Sequence, residues 1–371
     1  MENMVDLNKT TDVENIDIEY IHSKAKSEFE KLSNHTFFIT GAGGFLGYYF
    51  IKSIISWNDK YPDKSIYVTG LSNFKSGIPT WIANLKERKD FKLIKKDIAK
   101  FKISKSLHFD YIIHAASIAS PTFYRLFPIE TINANVQGLY NILNYLVDRR
   151  NTKNFVKGLL YFSSSEIYGD PLKGNIPTSE DYRGNVSCTG PRACYDESKR
   201  FCETLCVNYS KVYNLPIKSA RPFNNYGPGL QLKDKRVIPD ISKNILEGKD
   251  IELYSNGSPS RTFCYVADAI VGYLKILIHG RDGEAYNIGT EKQEITIDQL
   301  ASKIVNISET LFGYKGKIRF KESEDKNYLT DNPQRRCPSI NKAKKELGYF
   351  PEINLDEGLR RTLLWYKGTT N

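Results

Sequence analysis

From His35 onward the chain alternates short apolar runs with longer stretches in which apolar residues return every three or four positions. The runs are "HTFFIT", "SIYVTG", "FKLIKK", "YIIHAA", "GLLYFSS" and "IKSARPF". Their length and their β-branched and aromatic content predict strands buried on both faces, since a strand with one wet face would alternate apolar and polar residues. Helical spacing fills most of the gaps between them. Such alternation predicts an α/β fold, a doubly wound parallel sheet covered by helices on both faces. Beyond about residue 223 the elements shorten and Gly and Pro turns multiply, so residues 34–222 read as a first domain and 223–371 as mainly a smaller second one. "RTFCYVADAIVGYLKILIH" is apolar enough to return to the first domain, over about residues 262–280.

Residues 1–33 form an extension with no strand signal. Ile18, Ile21, Ala25, Phe29 and Leu32 fall at helical spacing there, as a docked helix requires. The extension holds four Lys and eight acidic residues, so its net −4 against +10 for the chain leaves +14 on the remainder. That sign suits an anionic substrate. The lysines are dispersed through helical patterns without interleaved aromatics, which argues against nucleic acid. No apolar run approaches the ~18 residues that cross a bilayer, and the acidic, polar start is unlike a signal peptide. The chain therefore reads as cytoplasmic, with no membrane partner. Six scattered cysteines show neither a disulfide framework nor a zinc spacing and read as reduced thiols; no metal is expected.

Two stretches carry chemistry. "FFITGAGGFLGYYF" sets Gly41, Gly44 and Gly47 directly after the first strand and at the mouth of a helix running from Phe45 to about Ser56. Glycines in that place let the backbone approach a pyrophosphate, which then meets the positive end of the helix. At the end of the second strand an acid usually holds the ribose hydroxyls of NAD, but the stretch here is "TGLSNFKSG", with Ser72 at that place and Lys75 close by. NAD is the expected cofactor, and Ser72 leaves room for NADP. Asp97 after the third strand is a candidate adenine contact. In "CYDESKR", Tyr195 and Lys199 stand four apart, one face of a helix, where the ammonium favours a phenolate able to act as a base.

The glycine loop, "SSSEIYG" at 163–169 and the Tyr195/Lys199 pair occur in one order, which resembles the extended short-chain dehydrogenase/reductase superfamily. "HAASIASPTFYRLFPIETINANVQGLYNIL", "GPRACYDESKR", "RPFNNYGPG", "NGSPSRTFCYVADAI" and "NPQRRCPSINKAKKELGY" narrow the similarity to the UDP-glucuronate decarboxylases, over nearly everything from residue 35 onward. The resemblance implies a Rossmann-type domain for NAD, a smaller C-terminal domain for a nucleotide-sugar substrate, and a homodimer packed through helices at roughly 130–148 and 195–212. It implies catalytic roles for Ser164, Ser165, Glu166, Tyr195, Lys199 and Arg336. Cofactor contacts would come from Gly41, Gly44, Phe45, Leu46, Gly47, Ser72, Asn73, Asp97, Ile98, Ala115, Ala116 and Ser117, together with Tyr195 and Lys199. Arg192 and Arg336 resemble substrate contacts, Asn224 and Arg261 match diphosphate contacts, and Tyr254 matches a base-stacking position. Three departures stand out: Ser72 for the usual Asp, Ser164 for the usual Thr, and Tyr48-Tyr49 after the glycine loop. His114 reads as a packed structural histidine.

These residues suit oxidation at C4 of a sugar, with Tyr195 removing the hydroxyl proton. If C5 carries a carboxylate, the 4-ketone is β to it and CO2 can leave. A 4,6-dehydratase needs an acid beside Glu166, where this chain has Ser165. The expectation is an NAD-dependent nucleotide-sugar decarboxylase acting on UDP-glucuronate or a related uronate. A 4,6-dehydratase, a 4-epimerase and a C4 dehydrogenase share the first half-reaction; a non-catalytic dinucleotide sensor would need none of Ser164, Tyr195 and Lys199.

Overall fold

The computed structural model describes residues 10–369 apart from 76, 324–326, 328 and 329. Six apolar runs form β1 (Thr36–Thr40), β2 (Tyr67–Ser72), β3 (Phe91–Lys95), β4 (Tyr111–His114), β5 (Gly158–Phe162) and β6 (Ile217–Pro222). A seventh strand, β7 (Ala285–Ile288), joins them in the order β7-β6-β5-β4-β1-β2-β3, every neighbouring pair parallel. The pleat sends successive residues to opposite faces. Phe37 and Ile39 of β1, Ile113 of β4 and Leu160 of β5 enter one core, while Phe38, Ile112 and Leu159 enter the other. Both faces are covered, and that is why these strands read as continuous apolar runs.

The principal helices are α1 (Thr10–Lys24), α2 (Lys26–Leu32), α3 (Phe45–Lys60), α4 (Gly138–Arg149), α5 (Ala193–Tyr213), α6 (Val237–Leu246), α7 (Val266–His279), α8 (Ile297–Phe312) and α9 (Leu355–Thr369). Helix α3 runs one turn beyond the expected Ser56, its last turn closed by Tyr61 N–H on Trp57 O. Helix α7 lies against β5 and β6. The stretch expected to be helical from 130 is helical throughout: Pro128–Ile132, a wider π-helical turn at Asn133–Gln137 and α4 follow one another without a gap. On the opposite face of the sheet α4 and α5 bury Ile142, Leu143, Cys202 and Cys206.

The N-terminal helices are docked as their spacing requires. Ile21, Ala25, Phe29 and Leu32 are fully buried. What anchors them is polar as well: Asp17 accepts from Tyr49 Oη at 2.6 Å, Tyr265 Oη at 2.7 Å and Arg361 Nη1 at 2.8 Å. Glu14 accepts from Tyr48 Oη and from Trp365 Nε1. Tyr48-Tyr49, a departure from the family pattern, thus meets the extension and ties α3 through it to α9.

Outside the main sheet, short strand pairs build the second lobe. Ile251–Leu253 pairs with Ile318–Phe320, and Ser260–Arg261 pairs with both Ile295–Thr296 and Arg335–Arg336. The last pairing sets Arg336 directly beside Arg261.

Candidate active site

A doubly wound sheet opens a crevice at the carboxyl ends of its strands where the winding reverses, here between β1 and β4. The glycine loop lines that crevice. Gly41 has φ +75°, which a side chain would strain, and a Cβ there would meet the Ala115–Ala116 peptide at 2.9 Å. A Cβ on Gly47 would stand 2.4 Å from Gly41 O. Gly44 is the extended N-cap of α3, so Phe45 and Leu46 begin that helix with its unpaired N–H groups facing the crevice. Across from it, Ser117 Oγ is buried without a partner. A loop that only glycine permits, a helix N-terminus and an orphaned hydroxyl together fit a dinucleotide. Ser72 and Asn73 end β2; Asp97 turns one carboxylate oxygen to Ala99 N–H at 3.0 Å, beside buried Ile98.

β5 ends at Phe162 and the chain turns at once. Ser164 caps a short helical turn, Ser165–Tyr168, by accepting from Glu166 N–H at 3.1 Å. Tyr168 holds that turn from beneath: its hydroxyl donates to Asn287 Oδ1 at 2.8 Å and accepts from Arg221 Nη1 at 2.6 Å, while Arg221 also pairs with Glu203 of α5. α5 then carries Tyr195 and Lys199 on one face. Lys199 Nζ donates to Phe162 O at 2.7 Å and lies 5.7 Å from the centre of the Tyr195 ring. Burial pushes Lys199 down to about 8. Burial pushes Tyr195 up to about 12, against a hydrogen bond from Ser164 that favours the phenolate. Because Ser164 Oγ already accepts from Glu166 N–H, its own proton is left to donate to Tyr195.

Beside this triad sits a buried charge cluster. Burial opposes ionisation of Glu166, but Arg192 and Arg336 outweigh it and hold the carboxyl well below the usual carboxylate range. Arg336 binds it through two 2.6 Å bonds, and Arg192 Nη2 donates to the same carboxylate. The Nε atoms of both arginines are buried without a hydrogen-bond partner. Arg261, 7% exposed, is surrounded by the carbonyls of Ser260, Pro333 and Gln334; burial, with repulsion from Arg336, pushes it down to about 9. A cation so placed gains from an incoming anion. Asn224 donates to Thr262 O at 2.9 Å, and the half-buried Tyr254 donates to Glu252 at 3.3 Å.

His114 is fully enclosed, bonded through Nδ1 to Thr40 Oγ1 at 2.8 Å, and burial with the nearby Lys199 charge pushes it down to about 3. It stays neutral and structural. Sequence reasoning passed over two neighbours. Tyr124 stacks on Tyr195 with ring centres 5.0 Å apart. Asp196, one turn after Arg192, is pushed up to about 8 by burial and by the Glu166 charge. Both lie in motifs already singled out, but only packing shows which way they face. Among the described residues there is no group of three or more metal-ligating side chains, all six cysteines are free thiols, and no helix is long and apolar enough to cross a membrane.

Comparison with known proteins agrees with this geometry. The NAD dependent epimerase/dehydratase family matches residues 37–289. A UDP-glucuronic acid decarboxylase 1 of Xenopus tropicalis is 35% identical over 333 residues, 89% of this chain and 71% of that protein. UDP-glucuronic acid decarboxylase 6 of Arabidopsis thaliana is 34% identical over 88% of this chain and 87% of that protein. Among solved structures, the UDP-glucuronic acid 4-epimerase of Bacillus cereus, with UDP-glucuronic acid and NAD, superposes with a TM-score of 0.71 at 25% identity, covering 90% of this chain and 99% of that one. The chain belongs to the NAD dependent epimerase/dehydratase family.

Proposed function

We propose that this chain is an NAD-dependent nucleotide-sugar decarboxylase that converts UDP-glucuronate, or a close uronate relative, to the corresponding pentose nucleotide. The observation that carries the reading is the buried cluster in which Glu166 is shared by Arg192 and Arg336 beside Ser164 and Tyr195. Relatives named as UDP-glucuronic acid decarboxylases support it.

NAD, which the glycine loop, the N-terminus of α3 and Ser117 would hold, would supply a reversible acceptor for the C4 hydride of the sugar. Tyr195 takes the C4 hydroxyl proton, with Ser164 donating to the developing phenolate and Lys199 supplying positive charge. The C5–C6 bond of the resulting 4-keto sugar then breaks as CO2 leaves, its electron pair passing into an enolate that takes a proton from water at C5, and Tyr195 gives its proton back to the C4 oxygen when the ketone is reduced again. Arg336 steers the uronate carboxylate through its unpartnered Nε, and Glu166, held as an anion, orders water or substrate at C5. Ser165 stands where a dehydratase needs an acid, which leaves the C6 substituent without a proton donor. Arg261 and Asn224 take the diphosphate, Tyr254 stacks on the base, and Arg192 positions Glu166.

Assembly is read from the surface. Leu126 and Ile129 are each 63% exposed and Val212 is 71% exposed, on or next to segments that pack along α5. A second copy laid against α4 and α5 covers them. Six free thiols suit a reducing compartment, and we read the chain as cytoplasmic.

Incubation with UDP-glucuronate, read by mass spectrometry, is expected to yield a product lighter by CO2. Arg336→Ala should cost at least ~100-fold in turnover, because binding energy directed at the carboxylate orients the breaking bond. The reading fails if no nucleotide uronate loses CO2 while a neutral hexose nucleotide is dehydrated, epimerised or oxidised at C4.

A further inference from the structure

The adenosine end of the cofactor site departs from its nicotinamide end. Ser72 is the last residue of β2, paired in register with Lys95, and the glycine loop is fastened beside it by Ala42 N–H on Leu71 O at 3.1 Å. In nucleotide-binding sheets of this winding, that strand end carries the acid that grips both ribose hydroxyls and repels a 2′-phosphate. Here the side chain is a neutral hydroxyl. The described residues that follow in the chain bring no acid to that edge before Asp97: Asn73 and Lys75 come after β2, Lys95 ends β3 and Lys96 follows it. Asp97, the first acid after β3, is committed in part to its own turn through Ala99 N–H.

The turn after Ser72 is fixed. Phe74 adopts φ +48°, unusual for a bulky residue, and is 6% exposed. Its ring lies where a Cβ on Gly43 would stand, 2.6 Å from the nearest ring atom. Asn73 Oδ1 accepts Lys75 N–H at 3.3 Å, and Gly77 N–H closes on Phe74 O at 2.9 Å. The plug thus sets the exposed Lys75 on the loop that leaves Ser72. From the other strand Lys96 N–H bonds Ser72 O at 3.1 Å, bringing a second exposed lysine to the same edge.

We infer that Ser72 relaxes cofactor choice, so that the adenosine ribose site accepts a 2′-phosphate and the chain binds NADP(H) as well as NAD(H). The loss of the acid acts twice. NAD forgoes two charge-assisted hydrogen bonds to its ribose, and NADP escapes like-charge repulsion while meeting Lys75 and Lys96. The two affinities converge. This concerns the dinucleotide site alone and does not rest on the decarboxylase reading; its failure would leave that reading intact.

The test is binding rather than turnover. After the purified full-length chain is stripped of dinucleotide, NADH and NADPH are titrated separately by energy transfer from protein to nicotinamide fluorescence. The expected dissociation constants lie within tenfold of each other. Ser72→Asp, checked by thermal melting for an intact fold, should weaken NADPH at least tenfold relative to NADH. Lys75→Ala together with Lys96→Ala should weaken NADPH and leave NADH unchanged. A preference for NADH of more than tenfold in the unmodified chain, or a Ser72→Asp variant that weakens both dinucleotides alike, overturns the inference.

Discussion

Replacing Lys199 with Met keeps a long side chain in the buried slot and removes its charge. The consequence follows from one distance. With Nζ 5.7 Å from the Tyr195 ring centre and an effective dielectric of ~20, the cation favours phenolate by about 3 kcal/mol, or about two pK units. Lys199, pushed down to about 8, is still largely protonated at pH 7, so that help is present where the assay is run. Lys199→Met is therefore expected to lose about 100-fold in turnover at pH 7. The assay is CO2 release from UDP-glucuronate at pH 7, with retained dinucleotide measured on the same preparation. Turnover within about threefold of the unmodified enzyme would refute the electrostatic role given to Lys199.

Tyr195→Phe should fold and bind substrate yet lose at least ~100-fold in turnover, the scale of a positioned acid–base group; near-normal turnover removes Tyr195 from the mechanism. Gly47→Ala puts a methyl 2.4 Å from Gly41 O, so the loop must open; the released dinucleotide, measured by absorbance, should fall at least ~10-fold, and full occupancy contradicts the close-approach argument. Asp17 gives a pH signature. Burial raises its carboxyl from 3.8 to about 6, so between those values the unfolded chain ionises first and this group's contribution to stability falls as pH rises, by about 3 kcal/mol in all. In urea unfolding at pH 4.5 and 7, Asp17→Asn should lessen the pH dependence relative to the unmodified chain; an unchanged dependence would mean that Asp17 titrates normally.

The amino-acid sequence by itself determined the elements whose signal is local. Apolar runs marked β1 to β6, because a strand buried on both faces must be apolar at every position. A glycine triplet after β1 marked the pyrophosphate loop, and a four-residue spacing put Tyr195 and Lys199 on one helical face. The spacing of Ile21, Ala25, Phe29 and Leu32 likewise announced a docked helix. Tertiary structure decided the rest. β7, "AYNI", is too short and too polar in its flanks to announce itself, and becomes a strand because β6 offers it an open edge. Residues 133–137, which read as ordinary helix, take a wider π turn within the continuous helix that leads into α4. No local pattern sets Arg336 beside Arg261, since a pairing of two-residue strands from distant parts of the chain does so. Nor does any pattern reveal that Glu166 is gripped by Arg336 and Arg192, or that Tyr124 stacks on Tyr195. Periodicity records how each residue meets its own neighbours along the chain, whereas the charges and rings of this site are matched only when β5, α5 and the second lobe close around one buried volume.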